Sequence, residues 1–128
     1  VDTLICNTSE LEGLVGSGPH GDVERAAHAI LGQGVRSVVV TLGGKGCLSV
    51  GPQGVTRQPA FPVQAVDTVG AGDCFSGVFA AALAQGADLT AALRLASAAA
   101  AISVTRKGAQ PSMPNREEIE EFLRSRPA

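Results

Sequence analysis

The sequence predicts an α/β fold in which helices are layered on a largely parallel β-sheet. The first observation is the run 37–42, SVVVTL, which is β-branched and shows no alternation of apolar and polar residues. Such a run is typical of a strand that is buried on both faces, as in a parallel sheet. The second observation is an apolar stripe at helical spacing over residues 23–31, typical of a helix that covers a core. The third is the alternation of such segments along the chain, which favours layers of helix and sheet.

Local signals predict the individual elements. The predicted strands are residues 3–6, 37–42, 47–50 and 55–58. The predicted helices are residues 10–15, residues 23–31 ending at Gly32 and Gly34, a helix beginning near Gly72, residues 89–104, and a last helix after Asn115. Ser9, Asp22 and Asn115 are the expected N-caps of the first, second and last of these helices. The row of alanines at 98–101 requires its helix to pack closely on a neighbour.

The composition indicates one globular domain and excludes several classes of partner. The 128 residues are 45% hydrophobic and 17% charged, which is enough apolar material for a core. A net charge of −2 provides no basic field for nucleic acid or for an anionic membrane, and no apolar run spans a bilayer. Cys6, Cys47 and Cys74 are far apart, so we expect free thiols in a reducing cytoplasm rather than a disulfide or a metal site.

The segment 66–77, VDTVGAGDCFSG, places glycines and aspartates at the predicted start of a helix. Successive backbone amides of Gly70, Ala71 and Gly72 suit a phosphoryl oxygen or a developing negative charge. Asp73 follows in the first turn, where a carboxylate can accept a proton from an attacking hydroxyl. Phosphoryl transfer requires both features. The spacing alone fits equally well a plain turn in which Asp73 only complements the helix dipole.

Two further segments are candidates for nucleotide contact. Residues 43–46, GGKG, follow a predicted strand and lack the Walker A pattern, so they suit either backbone contact with phosphates or a plain turn. Asn7 and Glu10 follow the first strand, at the sheet edge where open α/β proteins bind ligands. They suit Mg²⁺ through water or a phosphate oxygen, or else a helix cap and a solvated acid. Residues 106–108 form a basic turn that suits a phosphate clamp or a helix C-terminus.

Four motifs in order resemble the ribokinase-like (phosphofructokinase-B type) carbohydrate kinases. They are NTSE at 7–10, TLGGKG at 41–46, DTVGAGDCFSG at 67–77 and AAAAISVTRKGAQPSMP at 98–114. The last of these resembles the ribokinase members most closely. The resemblance extends through essentially all 128 residues and covers only the second half of such a kinase. It implies a Rossmann-type αβα layered fold in which residues 1–128 are the C-terminal, nucleotide-binding and catalytic portion of a domain. The N-terminal half, with the sugar-binding pocket and the lid, would be absent.

The resemblance also implies an activity and its residues. The activity is ATP-dependent phosphorylation of D-ribose to ribose 5-phosphate by a cytoplasmic, homodimeric parent kinase that requires Mg²⁺ and K⁺. Asp73 would be the general base, beside an anion hole of Gly70, Ala71, Gly72 and the Asp73 amide. The nucleotide site would comprise Asn7, Thr41, Gly43, Gly44, Lys45, Gly46 and Ser97, and Glu10 would hold Mg²⁺ through water. The potassium site would comprise Asp67, Val69, Ser103, Arg106, Gly108 and Ser112, mostly through backbone oxygens.

Three alternatives stay open at this point. The parent kinase could phosphorylate another sugar or a nucleoside. The separate chain could bind nucleotide without catalysis, since it lacks the parts that exclude water and orient a sugar. It could also be a structural fragment with an exposed sheet edge, for which we expect residues 37–42 or a neighbouring strand.

Overall fold

A computed structural model describes residues 3–15, 23–52, 54–68, 70–106 and 114–125 of the chain. It forms two compact units, Val1–Pro59 and Ala60–Ala128, which are considered in turn. Within the described residues, the first unit contains four strands and two α-helices, and the second contains three α-helices. No helix among these residues is long and apolar enough to cross a membrane. The α/β class predicted from the sequence is confirmed, whereas a single domain over residues 1–128 stays a prediction.

The first unit is a four-stranded sheet in the order β1-β2-β3-β4. Its elements are β1 (Thr3–Asn7), α1 (Thr8–Val15), α2 (Val23–Leu31), β2 (Ser37–Thr41), β3 (Cys47–Gly51) and β4 (Gly54–Gln58). The expected largely parallel sheet is wrong for this unit, because only β1 and β2 are parallel and the other two pairings are antiparallel. Two helices separate β1 from β2, which allows a parallel crossover. The connections from β2 to β3 and from β3 to β4 are too short for one, so these strands form a meander.

The strand β2 lies inside the sheet and is buried on both faces, as its sequence predicted. Val38 and Val40 face a core that α1 and α2 cover with Leu11, Ala27 and Ile30. Val39, on the opposite face, has no exposed surface either. Residues 37–42 themselves are not an edge, because β1 and β3 pair with the two sides of β2, whereas the neighbouring strand β1 is one, as the prediction allowed. The edges of the described sheet are β1 and β4.

Ser49 is a buried hydroxyl in the middle of β3. It lies opposite Val39 in the antiparallel register, is 1% exposed, and its Oγ has no hydrogen-bond partner among the described residues. A buried hydroxyl without a partner costs about 1–3 kcal/mol relative to one in water. We expect Ser49→Ala to leave the free energy of unfolding unchanged or to raise it, as measured by urea denaturation. A loss of more than about 1 kcal/mol would show that the hydroxyl is satisfied in solution.

The second unit is built around a pair of contacting helices. Its helices are α3 (Ala71–Ala84), α4 (Leu89–Val104) and α5 (Arg116–Arg124). Helix α4 has the bounds predicted from the sequence, and the side chain of Asp88 caps it by accepting from the Ala91 N–H. The alanine row packs closely, as expected: Ala98 and Ala99 are fully buried in a cluster with Cys74 of α3.

An aromatic contact attaches the segment before α3 to the other helices of this unit. The ring of Phe61 packs edge-on against Phe122 of α5, with a centroid distance of 5.4 Å. The guanidinium of Arg94, on α4, lies 5.3 Å from the centroid of the same Phe61 ring. Phe61 therefore contacts both a cation and a second aromatic ring, and both contacts stabilise its position.

Two of the three expected N-caps are described. Asn115 caps α5 as predicted, with a reciprocal capping box to Glu118. The cap of α1 is Asn7 rather than Ser9, because β1 extends to Asn7 and the helix begins directly after it. Asp22 lies outside the described residues.

Candidate functional site

In the first unit, the predicted nucleotide residues lie at the carboxyl ends of two adjacent parallel strands. Asn7 ends β1 and Thr41 ends β2, and the two are register partners. The Thr41 hydroxyl donates to the Cys6 carbonyl at 3.5 Å, across the same pair of strands. Open α/β sheets bind ligands at this end of their strands. The structure thus brings together two sequence motifs that are far apart in the chain.

Asn7 and Glu10 form a capping box at the start of α1. The Glu10 N–H donates to Asn7 Oδ1 at 2.8 Å, and the Asn7 N–H donates to Glu10 Oε1 at 2.9 Å. Both residues are exposed. The box uses one oxygen of each side chain, so the Asn7 amide nitrogen and the second Glu10 oxygen face outward from it. The two alternatives from the sequence, helix cap and ligand contact, are therefore compatible.

The turn after β2 directs backbone groups to the same strand end. Residues Gly43–Lys45 form a 3₁₀ turn, in which the Lys45 N–H donates to Leu42 O and the Gly46 N–H to Gly43 O. Gly43 and Gly46 have φ angles of 60° and 97°, which favour glycine. The N–H groups of Gly43 and Gly44 take no part in these turn bonds. They are the leading donors of a short helix, the kind of group that binds phosphate.

The Cys6 thiol next to Asn7 is buried and uncharged. Burial raises its pKa above the ordinary value, and the nearby Glu10 carboxylate raises it further. The negative charge near this strand end therefore comes from Glu10 and not from a thiolate. This agrees with the expected structural role of the cysteine.

In the second unit, the predicted anion hole lies at a helix start without a capping side chain. Gly70 is the N-cap of α3 with a φ of 82°, and no side chain among the described residues caps this helix, unlike α4 and α5. The Ala71 N–H donates weakly to Thr68 O at 3.3 Å, and the Cys74 N–H donates to Gly70 O at 2.9 Å. Between them, the N–H groups of Gly72 and Asp73 have no carbonyl partner among the described residues.

The surroundings of this helix start are open. Gly72 and Asp73 are both exposed, and a Cβ atom added at Gly72 would meet no heavy atom within 4 Å. The Asp73 carboxylate thus lies in the first turn of α3, beside amide donors that have no carbonyl partner within the described part of the chain. This arrangement can bind an anion and can accept a proton from a neighbouring hydroxyl.

Part of the predicted potassium site comes together at the end of α4. The Val104 carbonyl accepts the N–H groups of Val66 and Asp67, at 2.6 and 3.0 Å, so the segment before α3 is attached to the last residue of α4. The Arg106 N–H donates to Ser103 O at 3.1 Å. Asp67, Ser103 and Arg106 are therefore neighbours, and their carboxylate and carbonyl oxygens are ligands that suit a hard cation. Val69, Gly108 and Ser112 lie outside the described residues.

Glu118 is a charged residue at this corner that the sequence did not assign to the site. Its Oε2 forms an ion pair with the Arg106 guanidinium, and its Oε1 accepts the Asn115 N–H at 3.0 Å. The hydrogen bond from Arg106 lowers the pKa of Glu118 below its ordinary value, and the Asn115 N–H lowers it further. The capping-box spacing from Asn115 was visible in the sequence. The ion pair joins residues 12 apart, on either side of a helix start, and had no local signal.

The charge of Arg106 also affects the pKa of a thiol at the start of α3. Burial raises the pKa of the Cys74 thiol, and Arg106 partly opposes this increase by favouring the thiolate. Cys74 directly follows Asp73, so the guanidinium acts electrostatically on the first turn of α3. Of the other predicted residues, Ser97 is 8% exposed within α4 and Lys45 is exposed on its turn. Their nucleotide contacts stay predictions.

The comparisons with known proteins agree on one family. Residues 1–116 match the pfkB family of carbohydrate kinases. The chain is 40% identical over 124 residues to a deoxyribokinase of Salmonella typhi, and 42% identical over 126 residues to a ribokinase of Haemophilus influenzae. These matches cover 95% and 96% of this chain, but only 40% and 41% of the relatives. The chain thus spans about two fifths of the length of the curated relatives it matches.

Solved structures give the same result. A ribokinase from Thermotoga maritima matches with a TM-score of 0.91 and 48% identity, over 97% of this chain and 42% of that one. A ribokinase of Arabidopsis thaliana complexed with ribose and ATP matches with a TM-score of 0.90 and 37% identity, over 96% and 41%. The phosphofructokinase-2 of Escherichia coli in complex with potassium matches with a TM-score of 0.85 and 28% identity, over 98% and 41%. The chain belongs to the pfkB family of carbohydrate kinases.

Proposed function

We propose that this chain supplies nucleotide contacts, an anion hole and a catalytic base to an ATP-dependent kinase that phosphorylates D-ribose on its primary hydroxyl. The observation that carries this proposal is the start of α3, where the amides of Gly72 and Asp73, which have no carbonyl partner among the described residues, lie beside the Asp73 carboxylate. Amides alone would suit any anion. A carboxylate among them is unfavourable for simple anion binding and is explained by a need for a base.

Each residue has a defined task in this mechanism. The Asp73 carboxylate would accept the proton of the sugar hydroxyl as its oxygen attacks the γ-phosphorus of ATP. The amides of Gly72 and Asp73, with those of Gly70 and Ala71, would stabilise the negative charge on the transferring phosphoryl group. The Asn7 amide nitrogen and the leading N–H groups of the 43–46 turn would contact nucleotide phosphates. Thr41, Lys45, Gly46 and Ser97 complete the proposed nucleotide contacts.

Two metal ions belong to the proposal. Mg²⁺, when bound, would offset negative charge on the nucleotide phosphates, and the outward oxygen of Glu10 would hold it through a water molecule. K⁺ would lie at the corner of Asp67, Ser103 and Arg106, with Val69, Gly108 and Ser112 completing its ligands. The complex of E. coli phosphofructokinase-2 with potassium supports the choice of this ion. The whole kinase is proposed to be a cytoplasmic homodimer.

The identity of the acceptor sugar is tested by comparing two substrates. The deoxyribokinase relative favours 2-deoxyribose as the second candidate, and the Arabidopsis complex with ribose and ATP favours ribose. In a kinase restored to full length, the ratio of kcat/KM for ribose to that for 2-deoxyribose decides between them. The separate chain is expected to bind Mg-ATP without turnover.

Nucleotide binding is tested with two substitutions of Glu10. Glu10→Gln keeps an oxygen that can accept the Asn7 N–H, so the cap survives while the charge is lost. We expect the affinity of the chain for Mg-ATP to fall about tenfold, with metal-free ATP binding unchanged, in titration calorimetry. Glu10→Ala also removes the cap and should cost about 1 kcal/mol of stability.

The result separates the two roles of this residue. Equal Mg-ATP affinity in the wild type and Glu10→Gln would reduce Glu10 to a capping residue. No heat with the wild type at millimolar Mg-ATP would overturn nucleotide binding by the chain.

A further inference from the structure

The end of α4 presents an electrostatic conflict for the proposed potassium site. Arg106 is one of the proposed ligands through its backbone, yet its side chain carries a positive charge. A guanidinium is always protonated, so it repels a cation bound within the length of one side chain. The Asp67 carboxylate attracts the cation as one of its proposed ligands, so a second acidic group is needed to offset the guanidinium as well.

Glu118 is the group that offsets it. Its carboxylate is paired with the Arg106 guanidinium, and the two side chains are only 32% and 37% exposed. Because one positive and one negative charge are in contact, the pair presents almost no net charge to the neighbouring oxygens. Glu118 is also fixed in place, because its other oxygen and its own N–H both bond to Asn115 in the capping box.

The same contacts connect the pair to the start of α3. Arg106 bonds through its N–H to Ser103 O, and the next carbonyl, Val104 O, accepts the N–H groups of Val66 and Asp67. Residue 67 lies three positions before Gly70, the N-cap of α3. These bonds place the Arg106–Glu118 pair close to Asp67, and Arg106 acts electrostatically on Cys74 in the first turn of α3.

We propose that Glu118 is a positioning residue for monovalent-cation binding: it neutralises Arg106 and so permits K⁺ to bind beside Asp67 and Ser103. This inference rests on the potassium site of the proposed function. Glu118 lies outside the four motifs that indicated the family, and neutralising Arg106 gives its negative charge a role at the potassium site.

The test measures K⁺ binding by thermal stability of the 128-residue chain, without nucleotide or turnover. KCl is titrated at constant ionic strength against tetramethylammonium chloride, whose cation is too large for a carbonyl-lined site. Binding to the folded chain alone raises the free energy of unfolding by RT ln(1 + [K⁺]/Kd), and a fit of Tm to this dependence gives Kd, the half-saturating K⁺ concentration. The half-saturating K⁺ concentration and the Tm in the absence of K⁺ are two separate results of the titration. A substitution that only destabilises the fold lowers this Tm and leaves the half-saturating concentration unchanged.

Three variants separate charge from structure. Glu118→Gln keeps an oxygen for the Asn115 N–H but leaves Arg106 unpaired, and we expect its half-saturating K⁺ concentration to rise about tenfold. Glu117→Gln removes the same charge from the same helical turn, at an exposed residue, and should match the wild type. The double variant Arg106→Gln with Glu118→Gln restores neutrality and should return to within about twofold of the wild type.

The outcomes distinguish the role of Glu118 from the potassium site on which that role rests. A K⁺-dependent rise in Tm that is identical in the wild type and Glu118→Gln overturns the role of Glu118 and leaves the potassium site intact. Failure of the double variant to recover also overturns the electrostatic role. If the Tm of the wild type is the same in KCl and in tetramethylammonium chloride, both the potassium site and the role of Glu118 are overturned. Nucleotide binding is tested independently by the Glu10 titrations.

Discussion

Asp73→Asn is expected to reduce phosphoryl transfer by about 10²–10⁴-fold while nucleotide affinity stays within about twofold of the wild type. Asparagine keeps the size of the side chain and its place in the first turn of α3, but cannot accept the proton of an attacking hydroxyl. The substitution also removes a negative charge beside the amides of Gly72 and Asp73, so ATP binding has no reason to weaken. The loss should therefore appear in kcat and not in the affinity for ATP.

The measurement requires a complete kinase. A chimera in which this chain replaces the matching 42% of the Thermotoga maritima ribokinase is suitable, because the two are 48% identical with a TM-score of 0.91. Transfer from ATP to ribose is followed by ADP release, and ATP affinity by calorimetry on the same protein.

A matched control is available at the start of α4. Asp88 caps that helix by accepting from the Ala91 N–H, and asparagine caps a helix about as well as aspartate. Asp88→Asn thus removes an equal charge from the start of another helix in the same unit and should retain full activity. If Asp73→Asn is also active, then Asp73 only complements the dipole of α3, an effect of about 0.3–1 kcal/mol on stability.

Gly72→Ala is expected to lower phosphoryl transfer about a hundredfold without destabilising the protein. Apart from its chain neighbours and the backbone of its own helix, the added methyl group would meet no atom of the described residues within 4 Å, so the fold tolerates it. In the proposed site the same space is occupied by the phosphoryl group that approaches the amides of residues 72 and 73. Displacing a reacting group by about 1 Å costs about this much in rate.

Gly77→Ala is the control for this substitution. Gly77 lies in the same helix, is exposed, and an added Cβ there also meets no atom within 4 Å. Alanine favours a helix over glycine by up to about 1 kcal/mol, so neither variant should lower the free energy of unfolding. Only Gly72→Ala should lose activity; equal activity in both variants would contradict an anion hole at the start of α3.

The sequence by itself determined the features that depend on residues close together in the chain. The bounds of α4, the Asn115 cap and the burial of β2 on both faces all follow from local composition and spacing. The family followed from four motifs in order, each of which is a short, continuous segment. An anion site at the start of α3 could be proposed from the sequence for the same reason, because the amides and the carboxylate are consecutive residues, and it stays a prediction.

Only the tertiary structure decided the features that depend on which segments become neighbours. The sheet is mixed, because short connections after β2 produce a meander that the β-branched pattern of the strands does not specify. Asn7 and Thr41 meet because β1 and β2 pair in register. The Arg106–Glu118 pair could not be predicted from the sequence for the same physical reason. An ion pair depends on where two side chains lie after the helices pack, and local propensity does not encode that position.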